Sequence, residues 1–116
     1  MVLSWITCGD DQHWCSFLDV NLAKIKTEGV YIIWHEGNPG RVVYVGQGDV
    51  SARLAVHRTN PEILDYEMQG TLRVTWAAAP AAQRDGIERY LADTFDPLVA
   101  ERHPDVSHVT VNSPFQ

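Results

Sequence analysis

A chain of 116 residues is the size of one compact domain and long enough to bury an independent core. Hydrophobic residues at 45% and charged residues at 21% give a globular rather than a disordered balance, and no apolar run reaches the roughly 20 residues of a membrane-spanning helix. The net charge of −6 argues against tight, non-specific binding of nucleic acid, which needs clustered cations, but leaves room for a small local basic site.

The opening MVLSWITC is apolar, but it has no basic flank and breaks at Gly9-Asp10-Asp11, so it reads as part of the fold rather than as a signal peptide. Without a leader, Cys8 and Cys15 are expected as free thiols in a reducing compartment, the cytoplasm. Residues 1–28 read as an N-terminal extension that packs through Trp5, Trp14, Phe17, Leu22 and Ile25 on the domain formed by residues 29–116. Val30 to Trp34, β-branched and aromatic, is a strand. A turn-forming stretch from His35 to Gly40 links it to a second strand, Arg41 to Val45, as an antiparallel hairpin.

The chain then turns through Gly48-Asp49 into a helix capped by Asp49 or Ser51, which ends before Asn60-Pro61. Pro61 to Gln69 holds a further helical turn or two. Thr71 to Ala79 is a third strand, stopped by Pro80. Ala81 to Phe95 is a helix with Ile87, Tyr90, Leu91 and Phe95 in one apolar stripe, and Ser107 to Asn112 is a last strand or an extended tail. The sum is α+β: a small, mostly antiparallel central sheet flanked by helices.

Taken singly, the polar residues have structural explanations. A strand tyrosine fills a half-buried site, Arg53 covers apolar surface with its stem, His57 sits on a helix surface, and Glu88 is exposed beside the apolar stripe. Their order is more informative. Gly29-Val30-Tyr31 opens the first strand and Tyr44-Val45-Gly46 closes the second, thirteen residues on from tyrosine to tyrosine. Arg53 and His57 follow four residues apart on one helix face, and Glu88 lies in the last helix. This ordered set resembles the GIY-YIG endonuclease superfamily, over Gly29 to about Pro97.

The resemblance implies a metal-dependent endonuclease that hydrolyses phosphodiester bonds in nucleic acid, DNA before RNA. With no separate DNA-binding domain it would select structures such as nicks, branches and flaps rather than a long sequence. Tyr31 would activate the water, with Arg53 and a Mg²⁺ or Mn²⁺ ion on Glu88 as its essential partners and Tyr44 and His57 in support. Gly46, Gln47, Gly48 and Arg58 would contact substrate. These residue types suit the chemistry. A lone carboxylate suits Mg²⁺, which keeps waters and takes substrate oxygens, and arginine forks onto phosphate oxygens. Histidine moves protons near neutral pH, whereas a tyrosine, with a pKa of about 10, needs help to act as a base. Family members often carry an asparagine three residues after the proline that closes the catalytic helix. Here Ala100 stands there, and Asn112 is the downstream asparagine that could take its place.

Other clusters carry less. Cys8, His13 and Cys15 do not have the spacing of a zinc knuckle and lack a second ligand pair. Trp34 and Trp76 read as sheet residues, Trp5 and Trp14 as glue for the extension. Arginines such as Arg41, Arg58, Arg73, Arg89 and Arg102 form either a basic rim with Arg53 or a solvated mixed surface, because acidic residues are interspersed among them. QGDV lacks the lysine and glycine spacing of a phosphate loop. The alternative to the nuclease is a catalytically weak or inactive module on the same scaffold that binds nucleic acid or a protein partner. The sequence indicates no membrane attachment and leaves the oligomeric state open.

Overall fold

The structure, a computed structural model, describes residues 1–99 and 102–115. A short strand β1 (Cys15–Ser16) precedes the long strands β2 (Glu28–His35) and β3 (Arg41–Asp49). Helices α1 (Val50–His57) and α2 (Pro61–Leu64), strand β4 (Leu72–Ala78) and helix α3 (Ala81–Phe95) follow. The strands form one antiparallel sheet in the order β1-β4-β2-β3. The architecture is α+β, as the sequence indicates. No helix among the described residues is long and apolar enough to cross a membrane.

Central β2 is apolar at consecutive positions because both of its faces are covered. Tyr31 and Ile33 join Leu72 and Val74 in a core closed by Val50 and Leu54 of α1 and by Phe17. Val30 and Ile32 face the other way, into a core with Val42, Val45 and, from α3, Ile87 and Leu91. A β-bulge shifts the register of β3: Ile33 opposes Tyr44 whereas Trp34 opposes Val42. The extra residue, Val43, changes the phase of the strand, so that Val42 faces the α3 side while Val43 and Tyr44 face the α1 side. A strand of strict period two would have put Val42 and Tyr44 on the same face.

Three sequence readings are corrected or decided. First, β3 does not stop at Val45. It runs on to Asp49, with Gly46 to Asp49 paired to Tyr31 to Glu28, so the glycines that read as a turn are strand residues held by a full-length partner. Asp49 then caps α1, its Oδ1 accepting from the Ala52 amide. Second, of the two readings of Ser107 to Asn112, a last strand or an extended tail, the tail is the one formed. Its Val109 amide donates to Gly86 O on α3.

Third, Cys8 and Cys15 are not free thiols but a disulfide, and no free cysteine is present. A tight turn between Cys8 and His13, which bridge as an isolated antiparallel pair, brings the two cysteine Cα atoms to 5.1 Å, within bridging distance. Seven residues of sequence separation do not reveal that turn. Residues 1–28 do more than lie on the domain: they supply β1, and Phe17 is fully buried in the core beside α1.

Candidate active site

Tyr31 and Tyr44 lie on neighbouring strands and face the same core, their rings stacked at 6.0 Å and 12°. His57, in the last turn of α1, completes the group: its ring lies 4.2 Å from that of Tyr44, and its Nε2 is 2.7 Å from the Tyr31 hydroxyl. All three are buried, with Tyr31 at 0%, Tyr44 at 2% and His57 at 3% exposure. Gly46 makes the arrangement possible. A Cβ there would run into the Tyr31 hydroxyl and ring and would stand 2.9 Å from Tyr44 Cε1, so only glycine lets the Tyr31 ring lie across β3.

Arg53, one turn before His57, reaches both tyrosines. Hydrogen bonding to Tyr31, and more weakly to Tyr44, raises its pKa above the ordinary arginine value against the opposing effect of burial. Arginine has only donors, so the Tyr31 oxygen accepts from Arg53, while the direction of its hydrogen bond with His57 Nε2 follows the imidazole tautomer.

Glu88 approaches from the opposite side of the sheet edge. It sits on α3 between the buried Ile87 and the half-buried Arg89, and is only 8% exposed, in contrast to the solvent-facing position that helical periodicity alone suggests. Its Oε2 is 3.0 Å from His103 Nδ1. Tyr44, Gly46, Gln47, Arg53 and Glu88 line one open pocket of about 400 Å³ with Arg102, His103, Pro104 and Asp105. The sheet edge therefore carries a cation on one side and a carboxylate on the other.

The remaining expected site residues separate. Gln47 lines the pocket and is tied to α3, its Nε2 donating to Asp85 Oδ1 at 2.6 Å. Gly48 lies one residue further along β3, opposite Gly29. Arg58 is directed elsewhere: Nε and Nη2 donate to the carbonyls of Phe17 and Val20, so it clamps the N-terminal segment, and burial lowers its pKa. The broader basic rim is largely committed too. Arg41 and Arg84 donate to backbone carbonyls, Arg73 pairs with Glu36 and Arg89 with Asp93, leaving Arg102 as the arginine that joins Arg53 at the pocket. Ala100 lies outside the described residues. Asn112 holds the N-terminus, exchanging hydrogen bonds with Leu3.

Compared with protein-family models, with curated proteins and with solved structures, the chain matches none.

Among the described residues no group of three or more His, Cys, Asp or Glu side chains is clustered to hold a metal ion. The pocket offers two carboxylates, the buried Glu88 and the fully exposed Asp105, beside open volume. That donor set does not suit a caged zinc ion, but it fits a hard cation that keeps most of its waters. His103 is the residue that sequence reading missed. It lies outside the resembling segment, and nothing in its local spacing signals a return to Glu88.

Proposed function

We propose that the protein is a Mg²⁺-dependent endonuclease of the GIY-YIG type, hydrolysing phosphodiester bonds in nucleic acid, with structured DNA as its substrate. The observation that carries this reading is the meeting of Tyr44, Arg53 and Glu88, from three different elements, in one open pocket backed by the Tyr31–His57 hydrogen bond. Arg53 is placed to fork onto non-bridging phosphate oxygens. Arg53 would keep one N–H on the Tyr31 oxygen as it does so; that oxygen takes a proton from the attacking water while passing its own to His57, the water oxygen bonds to phosphorus, and the ester P–O bond breaks, its oxygen leaving with a proton from solvent. Tyr44, at the pocket wall, orients the water. Glu88 would hold the Mg²⁺ ion, which when bound supplies charge stabilisation at the phosphoryl oxygens.

A second reading is a module without catalysis that binds nucleic acid or a protein partner; it is favoured by Ala100 standing in place of the family asparagine, and the net charge of −6 favours its protein-binding form. One experiment separates the two. The purified protein and Glu88→Ala are incubated with supercoiled plasmid, branched and single-stranded DNA, and RNA, in Mg²⁺ or Mn²⁺. The nuclease reading expects cleavage by the wild type alone. Salt-dependent retention of nucleic acid without cleavage, unchanged by Glu88→Ala, would establish the binding module instead.

A further inference from the structure

The C-terminal tail meets the pocket at His103, and its position there is fixed from both sides. Upstream of Glu88 on α3, the tail crosses at Gly86: the Val109 amide donates to Gly86 O at 3.0 Å. A Cβ at Gly86 would come within 2.6 Å of Val109 Cγ2 and 2.8 Å of Ser107 O. Glycine is what allows the tail to lie directly on the helix. Downstream of Glu88, Arg89 Nη1 donates to Pro104 O at 3.3 Å and stands 3.9 Å from Asp105. Further along α3, His108 Nε2 is 2.7 Å from Asp93 Oδ2, which also pairs with Arg89. Between these anchors the His103 side chain reaches back to Glu88, with both side chains largely buried, at 17% and 11% exposure.

We infer that His103 is a positioning residue for Glu88: it binds Oε2 and thereby turns Oε1 to the pocket as the metal-binding oxygen. The inference rests on the proposed metal site at Glu88. The physical reason is that a glutamate has three side-chain torsions, the last of which rotates the carboxylate, so a site whose one buried carboxylate is Glu88 is loose unless a second group holds one oxygen. A partner hydrogen-bonded to a ligating carboxylate sets its orientation, and losing such a partner typically lowers metal affinity or activity by about 10–100-fold. The function is thereby coupled to the C-terminal tail. The catalytic helix and the strands do not complete the site by themselves.

The test uses Mn²⁺ as the probe, in the full-length protein, read by the loss of the free-ion electron paramagnetic resonance signal, so that it does not depend on turnover. Wild type, Glu88→Gln, His103→Ala and His103→Asn are titrated, and each is assayed for cleavage across a range of Mn²⁺ concentrations. Asparagine is the conservative variant because its amide nitrogen falls near the place of histidine Nδ1 and still donates.

The expected result is saturable binding by the wild type, loss in Glu88→Gln, a dissociation constant raised about 10–100-fold in His103→Ala, and substantial recovery in His103→Asn. In the cleavage assay the His103→Ala defect should shrink as Mn²⁺ is raised, which a merely structural loss would not do. Gly86→Ala, which displaces the tail without touching His103, should reproduce the His103→Ala isotherm. Wild-type and His103→Ala isotherms that coincide would overturn the inference and leave the nuclease reading standing. Wild-type binding that His103 supports, with no cleavage of any substrate, would sustain the inference and remove the nuclease. Absence of saturable binding in the wild type would overturn both.

Discussion

Tyr31 has no exposed surface, yet its hydroxyl lies between a cation and a base, with Arg53 on its oxygen and His57 Nε2 at 2.7 Å. Tyr31→Phe removes that oxygen and keeps the ring. If the protein is the nuclease proposed above, with Tyr31 as its base, this should lower single-turnover cleavage by about 10²–10⁴-fold. Leaving a buried imidazole nitrogen unsatisfied should also cost about 1–3 kcal/mol in a denaturant melt. On the same proposal Tyr44→Phe should lose less activity, because Tyr44 would orient the water rather than accept its proton. Equal activity in Tyr31→Phe and the wild type would remove Tyr31 from the chemistry. Arg53 adds a statement about pH. Its pKa is raised, so the stabilisation it gains from the tyrosines is fully present below the ordinary arginine value and fades only as pH climbs through the still higher folded value. Within any practical assay range Arg53 stays charged, and the limbs of an activity profile belong to other groups. At this scale the tyrosines, Arg53, His57 and Glu88 were legible because residue type and order suffice to mark them. His103 was not, because no local spacing reports where a tail will return.

At the scale of elements, the bulge in β3 and the glycine beside it act together. The bulge brings Tyr44 onto the face that holds Tyr31, and Gly46 leaves room for the Tyr31 ring to cross the strand. Gly46→Ala places a methyl group against both tyrosines. Overpacking of this kind costs about 1–3 kcal/mol, so a lowered but cooperative melt is expected. The displaced Tyr31 hydroxyl should abolish cleavage while the far-ultraviolet spectrum keeps its shape. A fully active Gly46→Ala would mean that the ring does not need its present seat. The helix α3 coincides with its expected span, Ala81 to Phe95, because its apolar stripe repeats at the helical period and Pro80 and Asp96-Pro97 bracket it. The ends of β3 were misread because glycine signals a turn locally, whereas a neighbouring strand can hold it extended. Glu88 was read as exposed because periodicity orders the faces of a helix without showing how much of each face the tail will cover.

At the scale of the molecule, the N-terminal segment is built into the sheet and closed by a disulfide. Strand β1 pairs with β4, Phe17 enters the core, and Arg58 grips the carbonyls of Phe17 and Val20. Replacing both Cys8 and Cys15 by serine should lower stability by roughly 2 kcal/mol, the loop-closure contribution of so short a ring. If the protein works in a reducing cytoplasm, the double variant should cut nucleic acid as the wild type does. Loss of activity together with cooperative folding would point to an oxidising compartment. Both outcomes are read from one melt and one cleavage assay on the same preparation.

The sequence by itself determined the α+β class, the span of α3, the hairpin, and the residue types available for phosphate chemistry. All of these follow from interactions between neighbours in the chain: side-chain period, turn chemistry, and the helix-stopping effect of proline. The tertiary structure decided which of those residues meet. It brought Arg53 and Glu88 to one sheet edge, turned Arg58 away to hold the N-terminus, joined Cys8 to Cys15 and laid His103 against Glu88. Those outcomes depend on the register shift in β3 and on the path of the tail over α3. Contacts between residues far apart in sequence set both, and local pattern carries no record of them.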